Sequence, residues 1–151
     1  VVESRVRIPI LYGNDSVHGQ ANARGAVLFP HNIGLGCSRD PELVRRCAEV
    51  VAVESRATGV HWVFAPALSV AQDVRWGRTY EGFSDDFETV AAMGAAAVRG
   101  FQKNNAVAAC VKHWVGDGST VFGTGKGDLK ALDCGDCRSS LEELRKTHIR
   151  P

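Results

Sequence analysis

Three apolar segments, each followed by a cluster of charged and aromatic residues, constrain the fold of this chain more than any other feature. The segments cover residues 7–12, 60–65 and 106–111. Their apolar residues are consecutive rather than alternating, which is typical of strands buried on both faces of a parallel sheet. Helical patterns follow the polar clusters. This order predicts parallel strands joined by crossover helices, and therefore an α/β fold.

The helix signals are clear at both ends. Asp40 can cap a helix that has Pro41 at its first position, and this helix is predicted to end near Thr58, before Gly59. Its predicted buried face comprises Leu43, Cys47, Val50, Val51 and Ala57. A second helix is predicted over residues 85–103, with four apolar positions at helical spacing: Val90, Met93, Ala97 and Phe101.

The remainder of the chain completes a third unit. Residues 116–135 are rich in glycine and polar side chains, which predicts a loop, and Ser139 or Ser140 can cap a last helix that runs to about residue 148. Long loops after strands, with short returns from helix to strand, favour a barrel over an open sheet. A closed barrel needs eight units and about 250 residues. We therefore predict a partial (β/α)8 TIM-like barrel with about three β/α units.

Composition and charge exclude several classes of protein. Hydrophobic residues make up 44% of the chain and charged residues 23%, values that argue against disorder. The net charge of +1 leaves no electrostatic footprint for nucleic acid or for an anionic membrane surface. No apolar run has the length of a membrane span. We expect neither nucleic acid nor a membrane as a partner.

The sequence predicts no metal site or cofactor that is well supported. Cys134 and Cys137 have redox or zinc-like spacing, so a loop disulfide, a metal site and two ordinary loop thiols all stay open. Cys47 and Cys110 lie in apolar surroundings and are expected in the core. A metal site formed by three histidines lacks supporting ligand spacing; these are His18, His31 and His113. Residues 123–127 do not complete a phosphate-loop pattern.

The polar clusters after the strands are the candidate site. They cover residues 13–19, 75–86 and 112–118, and parallel α/β folds place their sites at such strand ends. Asp15 could accept hydrogen bonds from two neighbouring hydroxyls of a pyranose, and three other side chains could donate to further hydroxyls: Arg78, Lys112 and His113. Other roles are also open for these residues. Asp15 could be only a turn residue, the two residues after the third strand could form a polar rim, and each arginine could pair with Glu81, Asp85 or Asp86.

Four long motifs in this order resemble glycoside hydrolase family 3, in its branch of β-glucosidases and exo-acting β-glucan glucohydrolases. They are GNDSVHG at 13–19, FPHNIGLG at 29–36, DVRWGRTYEGFSDD at 73–86 and KHWVGDG at 112–118. The resemblance implies that residues 1–151 are part of the amino-terminal barrel domain, with no second domain in this chain. It also implies a β-glucoside or β-glucan substrate, no cofactor, and the remainder of the same enzyme as partner. Family habit suggests an extracellular or periplasmic location.

The resemblance also assigns roles to residues. It implies that Asp15, Arg78, Lys112 and His113 hold the glucosyl unit in the innermost subsite. Glu81 would support the arginine, and Asp117 lies where the family's loop closes beside the pocket. The family retains anomeric configuration by using a carboxylate nucleophile and a carboxyl acid/base. Both fall outside the matched motifs, so we assign no catalytic residue in this chain.

One departure narrows the substrate. Family members that act on N-acetylglucosaminides carry KHFPGHG, whereas residues 112–118 here place Asp117 where that histidine stands. This difference argues against hexosaminidase activity and favours a gluco-configured sugar without an amino group. Two alternatives remain: a truncated module that binds sugar without catalysis, and an unrelated parallel-barrel enzyme that acts on phosphorylated substrates.

Overall fold

A small parallel sheet forms the centre of the structure. The computed structural model describes residues 7–128 and 131–151. Strand β1 is Gly13–Asn14 and strand β2 is Trp62–Val63, and they pair in parallel with Gly13 opposite Trp62. A third extended run continues the sheet on the other side of β2, because Val63 N–H donates to the Ala108 carbonyl over 2.9 Å. The sheet order therefore places β2 in the middle.

The first predicted strand, residues 7–12, is wrong in position. Among the described residues, regular pairing begins at β1, although the Tyr12 carbonyl already accepts hydrogen bonds from His61 and Trp62. Pro9 has no N–H group to donate to a ladder. The apolar side chains before β1 are exposed; they are Ile8, Ile10, Leu11 and Tyr12. Consecutive apolar residues thus marked an uncovered edge of the sheet rather than a doubly buried strand.

The third predicted strand, residues 106–111, is extended but does not form a continuous ladder. Parallel bridges join Ala108 to Trp62 and Lys112 to Ala67. Pro66 interrupts the partner run between these points, because it has no N–H group, yet its carbonyl accepts from Lys112 N–H over 3.2 Å. The pairing nevertheless brings Lys112 and Asp15 to the same end of the sheet.

The helices agree more closely with prediction than the strands do. Helix α1 (Asn32–Cys37) is short and was not predicted, whereas α2 (Pro41–Ala57) and α3 (Phe87–Phe101) lie within the predicted ranges. Helix α4 (Leu141–Glu143) begins at a capping box formed by Ser140 and continues as a π-helical turn, Leu144–Ile149. No helix within the described ranges is long and apolar enough to cross a bilayer.

The core lies between α2, α3 and the sheet, and α2 is rotated relative to our prediction. Its buried positions are Val44, Cys47, Ala48, Val51, Ala52 and Ser55. Leu43, Val50 and Ala57, which we predicted to be buried, are exposed. Apolar residues surround much of this helix, so composition alone did not select the face that packs on α3. The predicted face of α3 is confirmed, because Val90, Met93, Ala97 and Phe101 are all buried.

Helix α1 packs so tightly that its last glycine should not tolerate a side chain. A Cβ atom on Gly36 would overlap the Phe83 carbonyl oxygen, which belongs to backbone and cannot move aside easily. We expect Gly36→Ala to cost about 3 kcal/mol of stability through overpacking. For a chain of this size, this corresponds to a fall in Tm of roughly 6–12 °C.

The matched control is Gly77→Ala, because a Cβ atom on Gly77 meets nothing within 4 Å. We expect this control to leave Tm within about 2 °C of the parent value, since surface substitutions generally change stability little. Thermal unfolding followed by circular dichroism measures both. Equal Tm values for the two variants would contradict the close packing of α1 on the segment before α3.

Candidate functional site

The structure brings the four predicted ligand-binding residues together. Lys112 Nζ lies 3.1 Å from Asp15 Oδ1, although the two residues are 97 positions apart in the chain. His113 follows Lys112 directly, and its Nε2 lies 3.5 Å from Arg78 Nη2. Parallel strands explain this arrangement, because their carboxyl ends meet at one edge of the sheet. These four residues, with Glu81 and Asp117, are called the strand-end cluster below.

Arg78 is held by a two-point ion pair. Its Nε lies 2.6 Å from Glu81 Oε1, and its Nη2 lies 2.8 Å from Glu81 Oε2. These hydrogen bonds raise the pKa of Arg78, so its positive charge is permanent. The expectation that Glu81 supports the arginine agrees with this geometry. Nη1 has no hydrogen-bond partner within residues 7–128 and 131–151, and it can therefore donate to a ligand.

Arg75 has a different partner from those we predicted. It pairs with Asp73, whose Oδ2 lies 2.6 Å from Arg75 Nη2, rather than with Glu81, Asp85 or Asp86. The Arg75 guanidinium also stacks on the Phe122 ring, 4.2 Å from its centroid. The hydrogen bonds from Arg75 hold the pKa of Asp73 at about 2. Arg75 therefore belongs to the outer surface of this loop, outside the strand-end cluster.

A buried polar network supports Asp15, and sequence reasoning missed it. Ser16 Oγ donates to Asn14 Oδ1 over 2.5 Å, and Asn14 Nδ2 donates to Gln20 Oε1 over 3.2 Å. All three of these side chains are buried, whereas the Asp15 side chain is 69% exposed. The fixed backbone on either side aims Asp15 toward solvent. The sequence did contain a signal for this network, because polar residues are mixed with apolar ones in the motif that follows the first strand.

Asp117 lies beside His113. The distance from His113 Nδ1 to Asp117 Oδ2 is 2.8 Å, which permits an ion pair when the imidazole is protonated. The N–H direction does not fit a hydrogen bond, and Nδ1 has no other partner in the described part of the chain. Asp117 therefore lies against the Nδ1 side of the imidazole, while His113 Nε2 faces Arg78.

The strand-end cluster carries more negative than positive charge. A further carboxylate, Asp133, lies at its border and accepts a hydrogen bond from Trp76 Nε1 over 3.2 Å. The cluster and its border therefore hold four carboxylates but only two permanent cations. The carboxylates are Asp15, Glu81, Asp117 and Asp133, and the cations are Arg78 and Lys112. An excess of carboxylates attracts hydroxyl donors and repels phosphates. The charge balance therefore favours a neutral polyhydroxylated ligand.

Two cavities lie away from the strand-end cluster. One of about 360 Å³ is lined in part by Cys37, Arg39 and Gln72, and another of about 570 Å³ runs along α2 beside Leu43 and Val50. Neither includes a residue of the cluster. The cluster itself is an open surface at the end of the sheet, with every member partly accessible to a ligand.

The other candidate ligand sites do not assemble within residues 7–128 and 131–151. Cys134 and Cys137 are free and exposed, and Cys37 is also exposed. No group of three or more metal-ligating side chains comes together in the part of the chain that the structure describes. Gly123 and Gly125 both turn their N–H groups to the Ala131 carbonyl, so these groups are not available to a phosphate. His18 Nδ1 lies 2.8 Å from the Phe29 carbonyl, as expected of a loop residue.

A stack of imidazole rings adjoins the cluster. The rings of His18 and His31 are 3.9 Å apart, and the Tyr80 ring meets His31 edge-on at 4.7 Å. Burial lowers the pKa of His31, the charge of His18 lowers it further, and Glu81 opposes both effects. His31 therefore binds a proton less readily in the folded protein than in the unfolded chain. Folding stability should fall as pH drops below about 6.5, the usual pKa of histidine.

We expect His31→Phe to flatten this pH dependence. Phenylalanine keeps a ring against His18 but cannot bind a proton, so Tm should fall less in the variant between about pH 7.5 and 5.5. Scanning calorimetry of both proteins in the same buffers measures this difference. Some slope should remain, because burial also lowers the pKa of His148. Equal slopes for the two proteins would show that His31 does not contribute.

Parallel β/α units that gather acid, base and aromatic side chains at their strand ends are the architecture of barrel enzymes. The model of the Glycosyl hydrolase family 3 N terminal domain matches residues 1–150. The chain belongs to glycoside hydrolase family 3. Its fold is part of a TIM-like (β/α)8 barrel, as predicted.

Known relatives agree with this assignment. A lysosomal β-glucosidase of Dictyostelium discoideum is 44% identical over 99 residues, covering 66% of this chain and 12% of that protein. The exo-1,3/1,4-β-glucanase of a Pseudoalteromonas species is 40% identical with a TM-score of 0.85, covering 95% of this chain and 18% of that one. A mutant β-glucosidase of Listeria innocua, solved with laminaribiose, is 32% identical with a TM-score of 0.83, covering 97% of this chain and 20% of that one.

These relatives are glycosidases, and this chain spans less than a quarter of the length of each. Their names also indicate compartments: the Dictyostelium protein is lysosomal, and other matched β-glucosidases are periplasmic.

Proposed function

We propose that this chain supplies the glucose-binding part of a retaining β-glucosidase or exo-β-glucan glucohydrolase. The observation that carries the proposal is the joining of Asp15, Arg78, Lys112 and His113 into one accessible cluster. Residues 1–151 belong, in this proposal, to one amino-terminal barrel domain. The complete enzyme releases terminal β-D-glucose from β-glucosides or β-glucans.

The cluster offers a glucose ring both acceptors and donors. Asp15 Oδ2 has no hydrogen-bond partner among the described residues, and Arg78 Nη1 is equally available. Hydrogen bonds to charged groups contribute roughly 1.5–3 kcal/mol each. An epimer with one misplaced hydroxyl leaves such a charge unpaired, so the cluster discriminates between sugars of different configuration.

The covalent chemistry comes from elsewhere in the proposed enzyme. A retaining mechanism needs two carboxyl groups about 5–5.5 Å apart on either side of the glycosidic bond. In the cluster, Asp15, Glu81 and Asp117 each face a basic side chain instead: Lys112, Arg78 and His113 respectively. We therefore assign them to binding and support. The nucleophile and the acid/base belong to other segments, and the isolated chain should not hydrolyse glycosides.

Substrate, partners and compartment follow from the same assignment. Asp117 in residues 112–118 favours gluco-configured sugars without an amino group, and the laminaribiose complex of the Listeria relative supports a β-glucan. Exposed apolar residues at both edges of the sheet, Ile10 and Leu11 at one edge and Val111 at the other, suit pairing with further strands of the same enzyme. The named compartments of the relatives support a location outside the cytoplasm.

A truncated sugar-binding module without catalysis is the second candidate, and one experiment separates the two. The coding transcript is read onward from the codon for Pro151, and its complete product is assayed on 4-nitrophenyl β-glucoside, with the product anomer followed by NMR. The main proposal predicts β-glucose as the first product and no turnover by residues 1–151 alone. An inactive complete product would favour the binding module, and turnover by the isolated chain would overturn the assignment of the nucleophile.

A further inference from the structure

The glycine-rich segment after the third strand, predicted as a loop, is a folded unit. Thr120 pairs with Cys137 in an antiparallel bridge, and Val121 N–H donates to the Asp136 carbonyl over 2.9 Å. Leu132 is only 2% exposed, and its carbonyl accepts from Thr120 Oγ1 over 2.6 Å. These contacts join the two halves of the segment to each other around the buried Leu132. We call residues 119–137 the glycine-rich unit; residues 129 and 130 lie outside the described residues.

The glycine-rich unit presents Asp133 in a fixed position. Lys126 N–H donates to the Asp133 carbonyl over 2.9 Å. Gly125 lies so close to this backbone that a Cβ atom there would stand 3.1 Å from Asp133 N and 2.8 Å from Leu132 N. The glycines thus allow two backbone runs to approach, rather than forming an anion cradle. Their effect is to hold one carboxylate beside the arginine-bearing loop.

Asp133 accepts a hydrogen bond from Trp76, the residue whose carbonyl closes the turn that contains Arg78. Its Oδ1 accepts from Trp76 Nε1 over 3.2 Å, and the Trp76 side chain is buried. The Trp76 carbonyl in turn accepts from Thr79 N–H over 3.0 Å and from Thr79 Oγ1 over 2.8 Å. Arg78 lies inside this turn. A shift of Trp76 is therefore passed through these hydrogen bonds to the backbone that carries the Arg78 guanidinium.

We propose that Asp133 is a positioning residue for sugar binding, which acts through the Trp76 indole to hold Arg78 in place. This inference rests on the proposed glucosidase function and extends it to a segment that the four family motifs do not include. Asp133 does not need to touch the sugar. Its contribution is to fix the direction of Arg78, whose Nη1 faces a ligand hydroxyl in the proposal.

The test is a double-mutant cycle in the complete enzyme, with Trp76→Phe, Asp133→Ala and both together. Phenylalanine keeps a buried ring and removes the N–H donor. We expect each single change to lower kcat/KM for 4-nitrophenyl β-glucoside by about three- to tenfold, the loss of one hydrogen bond. The double variant should be no worse than the poorer single variant, because both remove the same bond. Independent, multiplying losses would overturn the inference.

Deoxy substrates distinguish positioning from a general loss of structure. One monodeoxy β-glucoside should lack the hydroxyl that Arg78 binds, so Arg78→Lys should have no effect on its hydrolysis. On that same substrate, Trp76→Phe and Asp133→Ala should also have no effect. A uniform loss on every deoxy substrate would contradict a role through Arg78. Asp136→Ala is the matched control, since Asp136 lies in the same unit and its exposed side chain pairs with Arg138 at 3.7 Å, away from Trp76. It should change kcat/KM less than about twofold.

The experiment also distinguishes failure of the proposed function from failure of the link between Asp133 and Arg78. If the complete wild-type protein hydrolyses no glucoside, that function fails, and the same cycle is then measured on glucose binding by calorimetry. A shared, non-additive loss of glucose affinity in the three variants still supports the link from Asp133 to Arg78. Unchanged affinity in all three, or no binding of glucose by the wild type, overturns it.

Discussion

Replacing Asp15 by alanine in the complete enzyme should lower kcat/KM for an aryl β-glucoside by about 10²- to 10⁴-fold. Asp15 lies at the end of β1 with most of its side chain exposed, and one oxygen is held by Lys112 while the other is open to a ligand. Loss of two hydrogen bonds from sugar hydroxyls to a carboxylate removes about 3–6 kcal/mol. At about 1.4 kcal/mol per tenfold change, this gives the stated range.

Stability separates this effect from misfolding. Asp15 is largely exposed, but it pairs with Lys112, whose side chain is only 15% exposed, so we expect Asp15→Ala to lower Tm by about 2–4 °C, far too little to explain the loss of activity. The matched control is Asp85→Ala, an exposed aspartate of residues 73–86 that lies outside the strand-end cluster. Steady-state kinetics on the purified wild type and both variants measures the effect. A kcat/KM for Asp15→Ala within about twofold of wild type would rule out contact with the transition state.

Replacing Arg78 by lysine should damage both activity and stability. Lysine cannot reproduce the two parallel hydrogen bonds to Glu81, whose side chain is only 15% exposed. We expect a loss of about 2 kcal/mol of stability, below the cost of breaking a fully buried pair because Arg78 keeps a third of its side-chain surface exposed. Without the fixed donor to the sugar, kcat/KM should fall by about 10²-fold.

Arg75→Lys is the matched control, in the same loop and with the same change of side chain. Its ion pair with Asp73 lies on the surface, where solvent and salt screen the interaction. We expect kcat/KM within about threefold of wild type and little change in Tm. Thermal unfolding and kinetics of both variants test the distinction. Equal effects of the two substitutions would contradict the assignment of Arg78 as the arginine that binds the sugar.

The helices could be predicted because their signals are local. Asp40 and Asp86 mark helix starts by hydrogen bonds that span only two or three residues, and Pro41 marks the first position of α2 because it has no N–H group to satisfy. The strands could not be placed accurately, because pairing depends on partners far along the chain. Residues 7–12 are apolar, yet pairing starts at Gly13, where β2 becomes available. The buried face of α2 also depended on α3, so Val50 was assigned to the wrong side.

The candidate site could be located in the sequence only where strand ends and family motifs coincide. Asp15, Lys112 and His113 lie at strand ends, and the structure places them together with Arg78. Asp133 was missed because its contact with Trp76 spans 57 residues and follows a glycine-rich segment with no periodic signal. Ser16 and Gln20 were missed because burial, rather than residue type, makes them important to the position of Asp15.

A crystal structure of the complete protein with β-glucose bound tests the central claim most directly. We expect hydroxyls of one glucose ring to lie within about 3.2 Å of Asp15 Oδ2 and Arg78 Nη1, with further hydroxyls at Lys112 and His113. The Arg78–Glu81 pair should remain intact in that complex. Glucose bound elsewhere, with the strand-end cluster facing only solvent, would contradict the assignment of this chain as the sugar-binding part of the enzyme.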